Sequence, residues 1–324
     1  MPCKNKKQLA LLPSHNLIFT GKALTPTTLG KNLFVLTSKP IKSPFIFDSL
    51  VLSVSAKLAK EAALLIQASV KTEKGWSGFY KLAYISKNYK KTFTHDKDAF
   101  ANIAVDTLLP KGKAQYFKYQ ITVLGHAQIG LICAALTNAE VKYNKSLALE
   151  TLGLNDFELK AAPLSQREFK DKKLQDKICA PACLTMVLNY YGKKTTLAET
   201  IKNVYDDTTN TYGVWPLNTA LAAQFGLNAC VVRASSIAQI EGELYKGKPV
   251  IVSLSYKKGE LKNALQPQTQ GHLVVIIGID KNGNIIALDP AAKTAKQARI
   301  VYSREQFAKA WLKNKKGVAF AIED

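Results

Sequence analysis

The chain has 324 residues, 47% of them hydrophobic and 9% aromatic, and a formal charge of +21. That is about two domains' worth of globular sequence, which excludes wholesale disorder and a small disulfide-stapled scaffold. Only Arg167, Arg233, Arg299 and Arg304 are arginine among 45 basic residues, and the charge divides as +12 over residues 1–160 and +9 over the rest. No basic tail or arginine cluster for reading bases stands out, so the lysines read first as solvated faces.

At the start, Lys4, Lys6 and Lys7 precede only Leu9 to Leu12 before Pro13. This is too short for the ~7–15 residue apolar core of a secretory signal. No apolar run approaches the ~18 residues of a membrane span. A soluble chain with no export address is expected, cytoplasmic by default. Cys3, Cys133, Cys179, Cys183 and Cys230 are odd in number and widely spaced, which predicts free thiols.

From about Leu17 to Leu136 the pattern is β. Leu64, Ile66, Ala68 and Val70 alternate with Leu65, Gln67, Ser69 and Lys71, and Phe117, Tyr119, Ile121 and Val123 alternate with Tyr116, Lys118, Gln120 and Thr122, the period-two signature of half-buried strands. A turn at Glu73-Lys74-Gly75, the aromatic stretch Trp76 to Ile85 and the apolar segment Ile129 to Leu136 complete an expected antiparallel sandwich or jelly roll over 17–137. His15, His95 and His126 are isolated from each other and from cysteine, and read as ordinary polar residues rather than ligands. Residues 138–160 lose periodicity and read as a linker.

The remainder, 161–324, predicts an α+β domain. A helix from Pro181 to Tyr191 stops at Gly192, another from Leu217 to Phe225 stops at Gly226, and Ser236 with Gln239 opens a third through a capping box. Strands follow at Pro249 to Tyr256, Leu273 to Ile279 and Ile285 to Leu288. Ser303 and Gln306 suggest a second capping box opening a helix through Trp311, before a last strand from Val318 to Glu323.

Chemistry concentrates in this half. Cys179 stands at a helix N-terminus, where the dipole and the unpaired amides favour a thiolate, although ~0.3–1 kcal/mol from the dipole is less than one pKa unit. A base is also required, and His272, opening a strand, is the only histidine in this half. If the strands around the Asp280-Lys281-Asn282-Gly283 turn pair with a loop of even length, Asp289 falls opposite Val274 or Ile276, on the face of His272 and near the same end. An odd loop would separate them. Cysteine, histidine, then carboxylate is the order used by papain-like hydrolases. Cys183, one turn beyond Cys179, is placed neither for a disulfide nor for a four-ligand zinc site and reads as a core residue.

The segment APLSQREFKDKKLQDKICAPACLTMVLNYYG, from Ala162 to Gly192, resembles the opening of peptidase family C39-like domains, the papain-like group that includes bacteriocin-processing peptidases. The likeness continues through YGVWPLNTA, GKPVIVSLSY, QGHLVVIIGID, ALDPAA and VYSREQFAKAWL to the end of the chain. FDSLVLSVSA and WSGFYKLA are similar to pieces of an accessory β-domain found ahead of stand-alone members.

The resemblance implies a cysteine peptidase domain preceded by a β-sandwich accessory domain. Cys179 would be the nucleophile, His272 the general base and then acid, Asp289 the orienting carboxylate, and Gln166 the oxyanion-hole donor, with Gln175 as the alternative glutamine. It implies peptide-bond hydrolysis through a thioester, no cofactor, no metal, and a peptide or protein substrate. Alternatives on the same fold are a cell-wall peptide amidase or acyltransferase, and a catalytically degenerate binding protein. The family's Cys-Gly-Pro is Cys-Ala-Pro here, with Ala180 adding a Cβ. Partners expected from the charge are anionic polymers or an envelope surface, bound weakly, and no specific nucleic acid. By resemblance the location is extracellular or envelope-associated.

Overall fold

The computed structural model describes residues 14–20, 26–93, 98–138 and 140–324. Cys3, the lysines near the start and His95 lie outside the described residues. In chain order the strands are β1 (Ser14–Thr20), β2 (Pro26–Gly30), β3 (Leu33–Thr37), β4 (Ile41–Phe47), β5 (Ser49–Leu58), β6 (Ala63–Thr72), β7 (Gly75–Trp76), β8 (Tyr80–Ser86), β9 (Lys90–Thr92), β10 (Ala101–Ala104), β11 (Thr107–Pro110), β12 (Ala114–Leu124) and β13 (Ala127–Thr137). Then come α1 (Lys145–Ala148), β14 (Phe157–Glu158), α2 (Cys179–Tyr190), α3 (Leu197–Val204), α4 (Trp215–Gln224), β15 (Asn228–Arg233) and α5 (Ile237–Tyr245). They are followed by β16 (Val250–Tyr256), β17 (Thr269–Ile279), β18 (Ile285–Leu288), β19 (Arg299–Tyr302), α6 (Arg304–Ala308) and β20 (Val318–Glu323). They form two compact units, one made of the chain up to Lys142 together with Asn203–Val231, the other of Tyr143–Lys202 and Val232–Asp324.

The first unit is an antiparallel sandwich, as the alternation predicts. One sheet runs β1-β13-β5-β11-β10 and the other β2-β3-β12-β6-β8-β9, with β4 on β12 and β7 on β6. Phe117, Tyr119, Ile121 and Val123 point into the core, beside Leu64, Ile66 and Val70 of β6 and Leu50, Leu52 and Val54 of β5. β5 is buried on nearly every residue, so both of its faces are covered. Its second face meets the segment Asn203–Val231. Gln224 of α4 takes the amide of Leu58 at 3.2 Å and donates to the carbonyl of Ala56 at 2.9 Å, while Ser53 and Ser55 accept from the amides of Val231 and Ala229. Serines on the outer face of a buried strand thus satisfy backbone that would otherwise be stranded. Cys133 and Cys230 are joined by a disulfide in this unit. This corrects the expectation of free thiols: wide spacing hides the pairing because 97 residues separate two cysteines that the fold lays side by side.

The second unit sets helices against an antiparallel sheet that includes β20-β16-β17-β18-β19, with β14 paired to β17. The stretch read as a linker supplies β14, and Thr151 and Leu152 within it donate to the buried carboxylate of Glu241, which Arg304 also meets at 2.8 Å. Helix α2 ends where glycine predicts, with Gly192 at φ +72° and the amide of Lys193 on the carbonyl of Leu188 at 2.9 Å, a left-handed cap only glycine adopts cheaply. Tyr190 and Tyr191 then donate to the carbonyls of Gly247 and Ile322. The capping box of Ser236 and Gln239 forms. The one expected at Ser303 does not, because Gln306 accepts instead from the amide of Lys262 at 2.8 Å.

Candidate active site

Cys179 is the first helical residue of α2, with Ile178 as its cap, so its amide and that of Ala180 lie in the turn that has no intrahelical acceptors. Apolar residues at nearly every position bury the rest of α2. That fixes the helix start, while Cys179 itself keeps some solvent exposure. Ala180 is buried in the helix with ordinary negative φ, so its Cβ introduces no backbone strain.

His272 and Asp289 meet through the hairpin of β17 and β18. Five residues separate the closing pair Ile279↔Ile285, an odd loop, which alone would put the two side chains on opposite faces. A bulge between Ile276 and Gly278 absorbs one residue of β17. Beyond it the register becomes Val275↔Leu288, so the next position, Asp289, falls level with Val274 and on the face of His272. The contact follows: Nε2 of His272 lies 2.7 Å from Oδ1 of Asp289, both side chains being almost wholly buried. Asp289 is held in turn by the hydroxyl of Tyr302, donating to Oδ2 at 2.6 Å, and by the amide of Ala291 at 2.8 Å. Tyr302 was not legible as part of the site, because the sequence reading named no strand at Arg299–Tyr302.

His272 also interacts with the thiol. Cys179 is hydrogen-bonded to His272 and receives the backbone of Leu273. Burial pushes the Cys179 thiol up, but the hydrogen bond and positive charge of His272 outweigh it and leave the thiol below its ordinary range. Burial likewise opposes charge on His272, yet the carboxylate of Asp289 and the contact with Cys179 push the imidazole up to about 10. The two shifts have opposite signs and one meaning: the pair favours thiolate and imidazolium. Burial raises Asp289, and His272 and Tyr302 reverse this to keep it ionised.

Gln166 is fully buried in a short 3-10 turn (Gln166–Glu168). Its amide donates to the carbonyl of Pro290, next to Asp289, at 2.8 Å, and Nε2 donates to the carbonyl of Gln175 at 2.6 Å. Oε1 finds no hydrogen-bond partner among the described residues. Gln175 is committed elsewhere, its own Nε2 on the carbonyl of Phe169 at 2.7 Å. A further residue that the sequence reading missed is Gln266, in the loop between β16 and β17. Its Nε2 approaches Nδ1 of His272 at 3.5 Å. Cys183 is buried and donates to the carbonyl of Leu273 at 3.2 Å, as expected of a core thiol. Among the described residues, no group of three or more His, Cys, Asp or Glu is arranged to hold a metal ion, and no helix is long and apolar enough to cross a membrane.

A mixed α+β domain with a helix-borne cysteine facing a strand-borne histidine, behind an N-terminal β-sheet region, has the fold of a cysteine-peptidase-like protein. The model of the peptidase C39-like family matches residues 158–319, half of the chain, and the chain belongs to that family. Two solved structures are similar at 19% identity and a TM-score of 0.34. One is a double-glycine-motif protease from an AMS/PCAT transporter in complex with a leader peptide, and 52% of this chain covers 96% of it. The other is the peptidase domain of Streptococcus ComA, a bifunctional ABC transporter of a quorum-sensing pathway, where 52% of this chain covers 98%. No curated protein matches the chain.

Proposed function

We propose that the protein is a cysteine peptidase that hydrolyses a peptide bond through a thioester, with Cys179 as nucleophile, His272 as proton carrier, Asp289 as the residue that positions it, and Gln166 as an oxyanion donor. The observation that supports this reading is the buried His272–Asp289 contact at 2.7 Å, held by Tyr302, together with a helix-start Cys179 whose thiol His272 lowers. The Cys179 thiolate attacks the carbonyl carbon. The oxyanion takes hydrogen bonds from the Cys179 amide and the second Nε2 hydrogen of Gln166. His272 gives its proton to the leaving amine, and the acyl group stays on sulfur as a thioester. Neutral His272 then takes a proton from the water that attacks the thioester and keeps it, so that the departing thiolate re-forms the ion pair. The hydrogen bond of the Gln166 amide to the Pro290 carbonyl, next to Asp289, and the engagement of Gln175 elsewhere support Gln166 as the donor.

The β-domain over 17–137 is proposed as an accessory module to the peptidase domain at 161–324. An oxidising location outside the cytoplasm is supported by the Cys133–Cys230 disulfide. The test is labelling with a thiol-directed activity probe followed by peptide-library cleavage. Cys179 should carry the label, Cys179→Ala should abolish labelling and cleavage together, and labelling confined to Cys183 would overturn the assignment.

A further inference from the structure

The larger sheet of the first unit has an unusual charge pattern. None of its strands, β2, β3, β4, β6, β7, β8, β9 and β12, contains an Asp or Glu, while they carry Lys42, Lys71, Lys81, Lys90, Lys91 and Lys118. Lys90 is buried. The register puts the other five on the face opposite the core. Tyr116 pairs with both Lys42 and Lys71, and Lys71 with Trp76. Gln120 pairs with Gln67 and Gln67 with Lys81; Thr122 pairs with Leu65, Leu65 with Tyr84, and Tyr84 with Lys91. Lys118 lies between these rows, two residues from Tyr116 and from Gln120, so it shares their face.

Aromatic rings alternate with these lysines. The Lys118 ammonium is 4.3 Å from the ring of Trp76 and 5.3 Å from that of Phe79; Lys91 is 4.9 Å and Lys81 5.8 Å from Phe93; Lys42 and Lys71 both lie just under 6 Å from Tyr116. At one end Leu65, Lys81, Tyr84, Tyr89, Lys91 and Phe93 line a cleft of about 370 Å³. That volume lies within the ~300–1,000 Å³ common to small-ligand sites.

We propose that this face is a binding surface for an acidic polysaccharide. Charge complementarity sets the sign: five ammonium groups stand on one face whose strands hold no carboxylate. The rings offer flat apolar platforms for the C–H faces of sugar rings. Gln67, Gln120, Thr37 and Thr122 between them are uncharged groups suited to hydroxyls, with Gln120 already donating to Thr37 at 3.0 Å. Carboxylate or sulfate groups on the sugars would pair with the lysines beside the rings. A nucleic acid fits less well. All four arginines fall in the other unit, so the planar fork that suits phosphate is absent here. A lipid surface fits less well too, because the amides and hydroxyls between the rings and lysines would lose water without gaining partners on insertion.

The test is titration of the full chain with polygalacturonate, dextran sulfate, neutral dextran, single-stranded poly(dT) and phosphatidylglycerol vesicles at about 0.15 M salt. The two acidic polysaccharides should bind and neutral dextran should not. Lys71→Gln/Lys81→Gln/Lys118→Gln should weaken binding about tenfold or more, and Trp76→Ala/Tyr116→Ala severalfold, with unchanged thermal midpoints. A control triple of equal charge loss on exposed lysines of the other unit, Lys202→Gln/Lys258→Gln/Lys281→Gln, should leave affinity within about twofold. An equal loss in the control, an unaffected aromatic variant, or tighter binding to poly(dT) or vesicles would overturn the proposal.

Discussion

At the scale of single residues, the proposed site is a set of side chains whose burial would be costly unless each were answered by a neighbour. His272 and Asp289 answer each other, Tyr302 answers the second carboxylate oxygen, and Cys179 is answered by His272. Among the described residues Gln166 is the exception, with Oε1 buried and unpaired, a cost of about 1–3 kcal/mol. An oxyanion donor acts on the tetrahedral intermediate and not on the free thiolate. Gln166→Ala should therefore lower peptide kcat by about 10²–10³ while leaving the rate of alkylation by iodoacetamide nearly unchanged. Equal loss in both assays would make Gln166 a structural support of Cys179 instead. Cys179, His272 and Asp289 were legible as candidates from their places at a helix start, a strand start and a strand end, while Gln166 came only from the family resemblance. Tyr302 and Gln266 were not, since a strand tyrosine and a loop glutamine carry no signal until the chain is folded.

At the scale of elements, the bulge in β17 does what the turn alone would not. An odd five-residue loop sets Asp289 on the wrong face, and one extra residue between Ile276 and Gly278 brings it back. Periodicity located both strands, but a bulge is a tertiary accommodation that alternation does not encode. Its site is also where β14 lies closest: a Cβ on Gly278 would stand 2.2 Å from the carbonyl oxygen of Phe157. Gly278→Ala must therefore push β14 away, with an expected loss of about 2–4 kcal/mol in denaturant unfolding, at the upper end for a single substitution. The capping box expected at Ser303 failed for a related reason. Its glutamine found a partner in the loop from Lys257, a competitor distant in sequence.

At the scale of the whole molecule, a β-rich half followed by an α+β half was legible, although α3, β15 and β19 were not read as elements. The excursion of Asn203–Val231 onto β5 was not, because reading along the chain assigns contiguous stretches to one compact unit. The disulfide belongs to this excursion, tying Cys230 to β13. Closing a loop of nearly one hundred residues is worth about 4–5 kcal/mol in the chain-entropy model. Cys133→Ala/Cys230→Ala should therefore destabilise the protein by a few kcal/mol, and mass spectrometry of unreduced peptides should find 133 linked to 230 with Cys179 and Cys183 free. The net charge of +21 also resolves at this scale. It is concentrated in part on one sheet face whose strands contain no Asp or Glu, where strand register aligns five lysines that look scattered in the sequence.

The central claim is that Cys179 and His272 form a thiolate–imidazolium pair. The most direct measurement is the rate of Cys179 alkylation by iodoacetamide against pH, in the native protein and in His272→Ala. The Cys179 thiol is lowered and His272 is raised to about 10. The native rate should therefore climb through a midpoint below the ordinary ~8.5 of a free thiol. In His272→Ala, where burial acts without an answering charge, the midpoint should move above it. A native midpoint at or above the ordinary value, or one that the substitution leaves in place, would contradict the pair and with it the proposed function.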